Sequence, residues 1–167
     1  MEEEIVINLN DKIPGAPNFK YKEFIKSDTA MRLGIYNIPN QRQWNNIEEL
    51  AKNNLQPIRD KFGRVRITSG FRSSELNMII GGSIFSNHCI GEASDIEPVD
   101  DIPLIVMIEW VYNNLQFREL IAEFFPDGWI HMGYRIGENI KKLKLKDENH
   151  NYQEVTLDYL KSLYPDT

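Results

Sequence analysis

Cysteine is nearly absent: with Cys89 as the only one in 167 residues, no disulfide can close within this chain. Histidine is scarce as well, limited to His88, His131 and His150, so any imidazole-based site must draw on these three. Basic charge is not in excess. Nineteen Lys and Arg against 25 Asp and Glu leave a formal net charge of -6, which argues against nucleic acid as a partner, because proteins that grip phosphates carry a basic face. No apolar run approaches the length of a membrane span, and Met1-Glu2-Glu3-Glu4 is acidic where a secretory leader is basic. The expectation is synthesis in the cytoplasm without a signal peptide and without membrane insertion. What remains, 41% hydrophobic and 26% charged residues, is ordinary for a folded globular chain, and the length suits one domain over residues 1–167.

The most informative stretch is Ser86-Asn87-His88-Cys89-Ile90-Gly91-Glu92-Ala93-Ser94-Asp95. His88 offers an imidazole and Asp95 a carboxylate, and Gly91 between them can take the positive φ of a tight turn that folds the two ligands toward one point. If the chain is extended after the turn, Ala93, Asp95 and Glu97 share one face, so that Asp95 points into a cleft and Ile96 into the core. A catalytic zinc site needs a third protein ligand and one open position. His150, in the polar run Asp147-Glu148-Asn149-His150-Asn151, reads as a solvated loop residue. His131, in the apolar run Gly128-Trp129-Ile130-His131-Met132-Gly133-Tyr134, reads as part of a buried strand and is the natural third ligand, with Gly133 beside it leaving space for a substrate backbone. Cys89 reads as a small residue packed beside the site, since a neighbouring histidine alone does not make a nucleophile.

Elsewhere the pattern alternates between helical and extended periods. Glu4–Leu9 alternates like a short edge strand, and Pro14-Gly15-Ala16-Pro17 reads as a turn or linker. Tyr21–Leu33 suggests one short helix or two helical turns stopped by Gly34. Asn40 is a helix cap, followed by a stripe of Trp44, Ile47, Ala51, Leu55 and Ile58, with a kink or break at Pro57 and an end at Gly63. Val65, Ile67 and Ser69 form a strand that delivers Arg72 to a cleft, where guanidinium can grip a substrate carboxylate with two parallel hydrogen bonds. Ser73 or Ser74 caps a short helix that ends at Gly81-Gly82. Asp101 and Pro103 start a helix whose buried stripe is Leu104, Met107, Ile108, Val111 and Leu115. Leu120–Phe124 and Trp129–Arg135 suggest a hairpin turned by Pro126-Asp127-Gly128, which puts Glu123 and His131 on neighbouring strands. Lys142–Lys146 alternates like an edge strand protected by lysines, which could also attract an anionic polymer, and residues 156–164 suggest a terminal helix ended by Pro165.

In these segments the sequence resembles peptidase family M15, the zinc D,D-carboxypeptidases and L-alanyl-D-glutamate peptidases, in its small phage and prophage form. The pattern Ser-x-His-x-x-Gly-x-Ala-x-Asp is matched at Ser86, His88, Gly91, Ala93 and Asp95, and the later Trp-x-His at Trp129 and His131. Ile67-Thr68-Ser69-Gly70-Phe71-Arg72-Ser73 is similar to the Ser-Gly-Tyr-Arg-Ser segment, and the likeness spans residues 19–140, with 1–18 and 141–167 as terminal extensions. The resemblance implies Zn2+ held by His88, Asp95 and His131, a substrate carboxylate on Arg72, and Ser86 bonded to substrate or ligand. Many members carry an acid three residues before the last His, where this chain has Gly128. Phage-type members carry a Glu in Leu-Ile-x-Glu, matched by Leu120-Ile121-Ala122-Glu123, so Glu123 is the first choice of catalytic base and Asp127 the second. The implied fold is α+β, a small, mainly antiparallel sheet with packed helices, resembling the zinc D-Ala-D-Ala carboxypeptidase or hedgehog-like fold. The implied activity is hydrolysis of an amide bond in the peptide stem or cross-link of peptidoglycan by a monomeric lysis enzyme or a virion component. The competing readings are a non-catalytic zinc-binding structural or wall-recognition module of the same fold, and a nuclease, which the acidic balance disfavours.

Overall fold

The computed structural model describes residues 6–164, and its elements alternate short helices with short strands. A two-stranded ribbon pairs β1 (Lys12–Ile13) with β2 (Ala16–Lys20) across the Pro14-Gly15 turn. The main sheet has six strands: β3 (Val65–Ser69), β4 (Ala93–Pro98), β5 (Glu119–Glu123), β6 (Trp129–Gly133), β7 (Lys142–Lys146) and β8 (Tyr152–Glu154). Their order is β3-β4-β6-β5-β7-β8. All neighbours are antiparallel except β5 and β7, so the sheet is mixed rather than uniformly antiparallel.

The helices start and stop where local chemistry directs them. A 3-10 turn at Tyr21–Phe24 precedes α1 (Asp28–Leu33), capped by the Ser27 hydroxyl and ended by Gly34. Asn40 caps α2 (Gln41–Leu50) reciprocally with Gln43. The chain then widens into a π turn at Ala51–Leu55 before α3 (Gln56–Phe62), so Pro57 is absorbed by a wide turn instead of breaking the helix. Ser73 caps α4 (Ser74–Ile79), and α5 (Leu104–Asn114) starts behind Pro103, with no side-chain cap from Asp101. α6 (Leu157–Ser162) closes the described chain, and Pro165 lies outside the described residues.

One face of the sheet is apolar. Ile96, Leu120, Ala122, Ile130, Met132 and Leu143 share a buried core with Ile47, Leu50, Leu55 and Ile58 of the α2–α3 segment and Met107, Ile108 and Val111 of α5. Burial of each such large side chain contributes about 1.5–3 kcal/mol. Trp44 belongs to this core, edge-on to Tyr21 at 5.2 Å, and is not a ligand-stacking residue. The other face carries Asp95, His131, Glu119 and Glu123, because side chains alternate along each strand.

Two sequence expectations need correction. Val6–Leu9 is irregular, the rest of the Glu4–Leu9 stretch lies outside the described residues, and the N-terminal strands begin only at Lys12. Lys142–Lys146 is not an edge strand: it pairs with β5 on one side and β8 on the other, so residues 142–154 of the supposed extension complete the sheet. Two of the alternating lysines, Lys144 and Lys146, face glutamates of β5.

Glu92 ties three strands together. It is buried, receives Arg135 Nε at 3.0 and 2.9 Å, and lies 3.5 Å from Arg118 Nη1, linking the starts of β4 and β5 to the end of β6. Glu92→Gln is expected to cost about 1.5–3 kcal/mol, the usual value of hydrogen bonds to charged groups, measured by urea unfolding. A cost below about 0.5 kcal/mol would reduce this network to a surface feature. Among the described residues, no helix is long and apolar enough to cross a membrane.

Candidate metal centre and its cleft

The first candidate ligand sits in a 3-10 turn, Asn87–Ile90, that ends at Gly91 with φ +77°. That position is closed to other residues twice over, since the conformation is left-handed and a Cβ would lie 2.5 Å from the Gln43 carbonyl oxygen. Side chains of α2 grip the turn by its carbonyls, Gln43 Nε2 donating to Cys89 O at 2.9 Å and Asn46 Nδ2 to Ile90 O at 2.8 Å. His88 Nδ1 donates to Gly70 O at 2.7 Å, which leaves the Nε2 lone pair free. After Gly91 the chain becomes β4, where Asp95 is the direct cross-strand partner of His131 on β6.

His88 Nε2, His131 Nδ1 and Asp95 Oδ1 form a triangle with sides of 3.2, 3.0 and 3.3 Å. A tetrahedral ion bonded at about 2.0–2.1 Å to nitrogen and oxygen requires ligand separations of about 3.3 Å, so the triangle is close to one face of such a tetrahedron. All three residues are buried, and together they can hold a metal ion. His88 and Asp95 are both biased toward the forms that bind a metal. Burial pushes the His88 imidazole below its ordinary value, toward the neutral form. For Asp95, burial alone would raise the carboxyl, but the two imidazoles beside it outweigh that and hold it well below the usual carboxylate range, as a carboxylate ligand must be.

The triangle lies in a cleft of about 880 Å³, whose lining includes Arg72, Ser86, Trp129 and Tyr152. The family model described as Peptidase M15 matches residues 17–132, well over half of the chain. The chain belongs to the peptidase M15 family. No curated protein sequence matches it. The matched span of this M15 peptidase includes α2, all three candidate ligands and all of β5. It leaves out β7 and β8, although these supply Lys144, Lys146 and Tyr152 to the same cleft.

The two expected bases part company here. Glu123, at the end of β5, is buried in the cleft lining and accepts from Lys146 Nζ at 2.9 Å. Asp127 is exposed in the turn beyond it and does not line the cleft. Gly128 cannot be replaced by an acid, because a Cβ there would lie 1.9 Å from the Glu123 carbonyl oxygen. This M15 peptidase therefore has no room for a carboxylate three residues before His131. Hydrogen bonds to Glu123 and Tyr152 hold the Lys146 ammonium above its ordinary value against the opposing pull of burial, so Lys146 stays cationic.

Arg72 lines the cleft with Nε buried and without a hydrogen-bond partner among the described residues, and Ser86 lines it at the start of the His88 turn. Cys89 is half-buried, and burial pushes its thiol up, which keeps the nucleophilic thiolate scarce. His150 is exposed, as expected of its loop, but also stacks edge-on against Phe124 at 5.5 Å and borders the cleft. Gly133 does not open onto substrate: the space a side chain would take adjoins Glu119, with its Cβ at 3.4 Å. Glu119 went unread in the sequence. The signal available was its spacing of four from Glu123, which places both carboxylates on one face of a strand.

Proposed function

We propose that this chain is a zinc peptidase that hydrolyses an amide bond in the peptide stem or cross-link of bacterial peptidoglycan. The observation that carries the reading is the triangle of His88, Asp95 and His131 in a cleft that also holds a buried glutamate and an arginine nitrogen without a partner among the described residues. Family M15 consists of zinc peptidases, and two imidazoles with one carboxylate are a ligand set suited to zinc. His88, Asp95 and His131 would hold the zinc, which when bound would supply Lewis acidity toward a carbonyl oxygen and toward water.

The remaining work falls to the chain's own groups. Glu123 accepts the proton of the attacking water on Oε1, since Lys146 engages Oε2, and returns it to the departing amine. Arg72 pairs with a free carboxylate of the stem peptide, which fixes the orientation of the scissile bond. Ser86 hydrogen-bonds the substrate backbone. The resemblance to phage-type members extends the proposal to wall degradation, either in host lysis or as part of a virion.

The test is digestion of purified peptidoglycan by metal-free and zinc-restored protein, with new termini read by mass spectrometry. Cleavage that appears only after zinc is restored supports the proposal, and the termini name the bond. Stoichiometric zinc uptake with no cleavage of walls of differing stem chemistry would instead make the chain a non-catalytic zinc-binding module.

A further inference from the structure

When His131 Nδ1 gives its lone pair to a metal ion in the triangle, Nε2 carries the hydrogen of the neutral ring. That nitrogen is buried and has no hydrogen-bond partner among the described residues. Unpaired buried donors are rare and costly, and histidines that bind metal nearly always donate the other ring nitrogen to an acceptor. His88 already does so, through Gly70 O.

An acceptor for His131 stands beside it. Glu119 Oε1 lies 3.8 Å from Nε2, too far for a hydrogen bond but within reach of a small side-chain torsion. Glu119 is on β5 opposite Gly133, diagonal to His131, and the missing side chain at Gly133 leaves it room. Its other oxygen, Oε2, is held by Lys144 Nζ from β7. Glu119 is therefore anchored at one oxygen and free to accept at the other.

We propose that Glu119, held by Lys144, is the positioning residue for His131. Its Oε1 accepts the Nε2 hydrogen when metal binds, which fixes the tautomer whose Nδ1 lone pair faces the ion and makes that nitrogen a stronger donor. The inference rests on the metal-centre reading above. It also gives β7, a strand outside the matched span, a part in holding the metal.

The test is zinc affinity, measured by titrating metal-free protein against a chelating dye for wild type, Glu119→Gln, Glu119→Met, Lys144→Met and His131→Ala. The cobalt-substituted absorption spectrum and metal-free thermal unfolding are recorded for each. Glu119→Met is expected to lose roughly 10–100-fold in zinc affinity, as losses of outer-shell partners do, and to shift the cobalt bands. Glu119→Gln keeps an acceptor oxygen and loses less, and Lys144→Met falls between them. Should Glu119→Met fail to fold, Glu119→Gln and Lys144→Met carry the same comparison. Zinc affinities within about twofold of wild type in both Glu119 variants and in Lys144→Met, while His131→Ala fails to bind, would overturn the proposal and leave the metal centre standing. A lowered unfolding temperature with unchanged affinity would overturn it in favour of a structural role. Wild-type protein that takes up no zinc would remove the metal-centre reading itself.

Discussion

Glu123→Gln is expected to keep zinc binding and to lower the rate of peptidoglycan cleavage by roughly 10²–10⁴-fold, the usual contribution of a positioned acid–base group. Glutamine preserves the shape of the side chain and leaves an amide oxygen for Lys146, so β5 and β7 stay paired and the loss is chemical. What disappears is the carboxylate oxygen able to take and return a proton. Asp127→Asn is the matched control: Asp127 is exposed outside the cleft lining, and the variant should cleave at the wild-type rate. Counting new termini over time, beside a chelator titration for zinc, separates the two effects. Full cleavage by Glu123→Gln with loss in Asp127→Asn would transfer the role to Asp127.

Asp95→Asn should abolish both zinc retention and cleavage. The substitution is nearly isosteric, yet it removes the one anionic ligand from between two imidazole nitrogens at 3.0 and 3.3 Å. The expected loss in zinc affinity exceeds the roughly 10–100-fold seen for outer-shell partners, because a direct ligand is weakened and the site loses its only negative ligand. Equilibrium dialysis against zinc reads the first effect and peptidoglycan digestion the second. Wild-type zinc stoichiometry and affinity in this variant would mean that the ion sits elsewhere.

Much of the site was legible because its parts are local. His88, Gly91 and Asp95 lie within one turn and one strand, and a glycine between two ligand types says how they converge. Asn40 with Gln43, Ser73 before α4, and the stripe of α5 are likewise decided within a few residues. Arg72 follows a strand whose alternation is clear, so its arrival at the cleft could be read.

The illegible parts depend on pairing at long range. Lys-Leu-Lys-Leu-Lys has the same alternation whether it guards an edge or faces a row of acids. Only the neighbour decides, and the neighbour is β5, joined in parallel, with Glu119 and Glu123 on the matching face. The same gap hid Glu119, whose relation to His131 depends on the register of β5 against β6 and on Gly133. Pro57 gave notice of a disturbance, but a π turn and a broken helix both satisfy a residue that lacks its N–H, and the chain takes the π turn.

The placement of β8 has a consequence for behaviour at high concentration. It ends the sheet on this side with three exposed residues, Tyr152, Gln153 and Glu154, and its length leaves few free backbone groups in a row. A strand this short and polar is a poor template for another chain, so this rim of the sheet resists the strand-by-strand stacking that leads to aggregates.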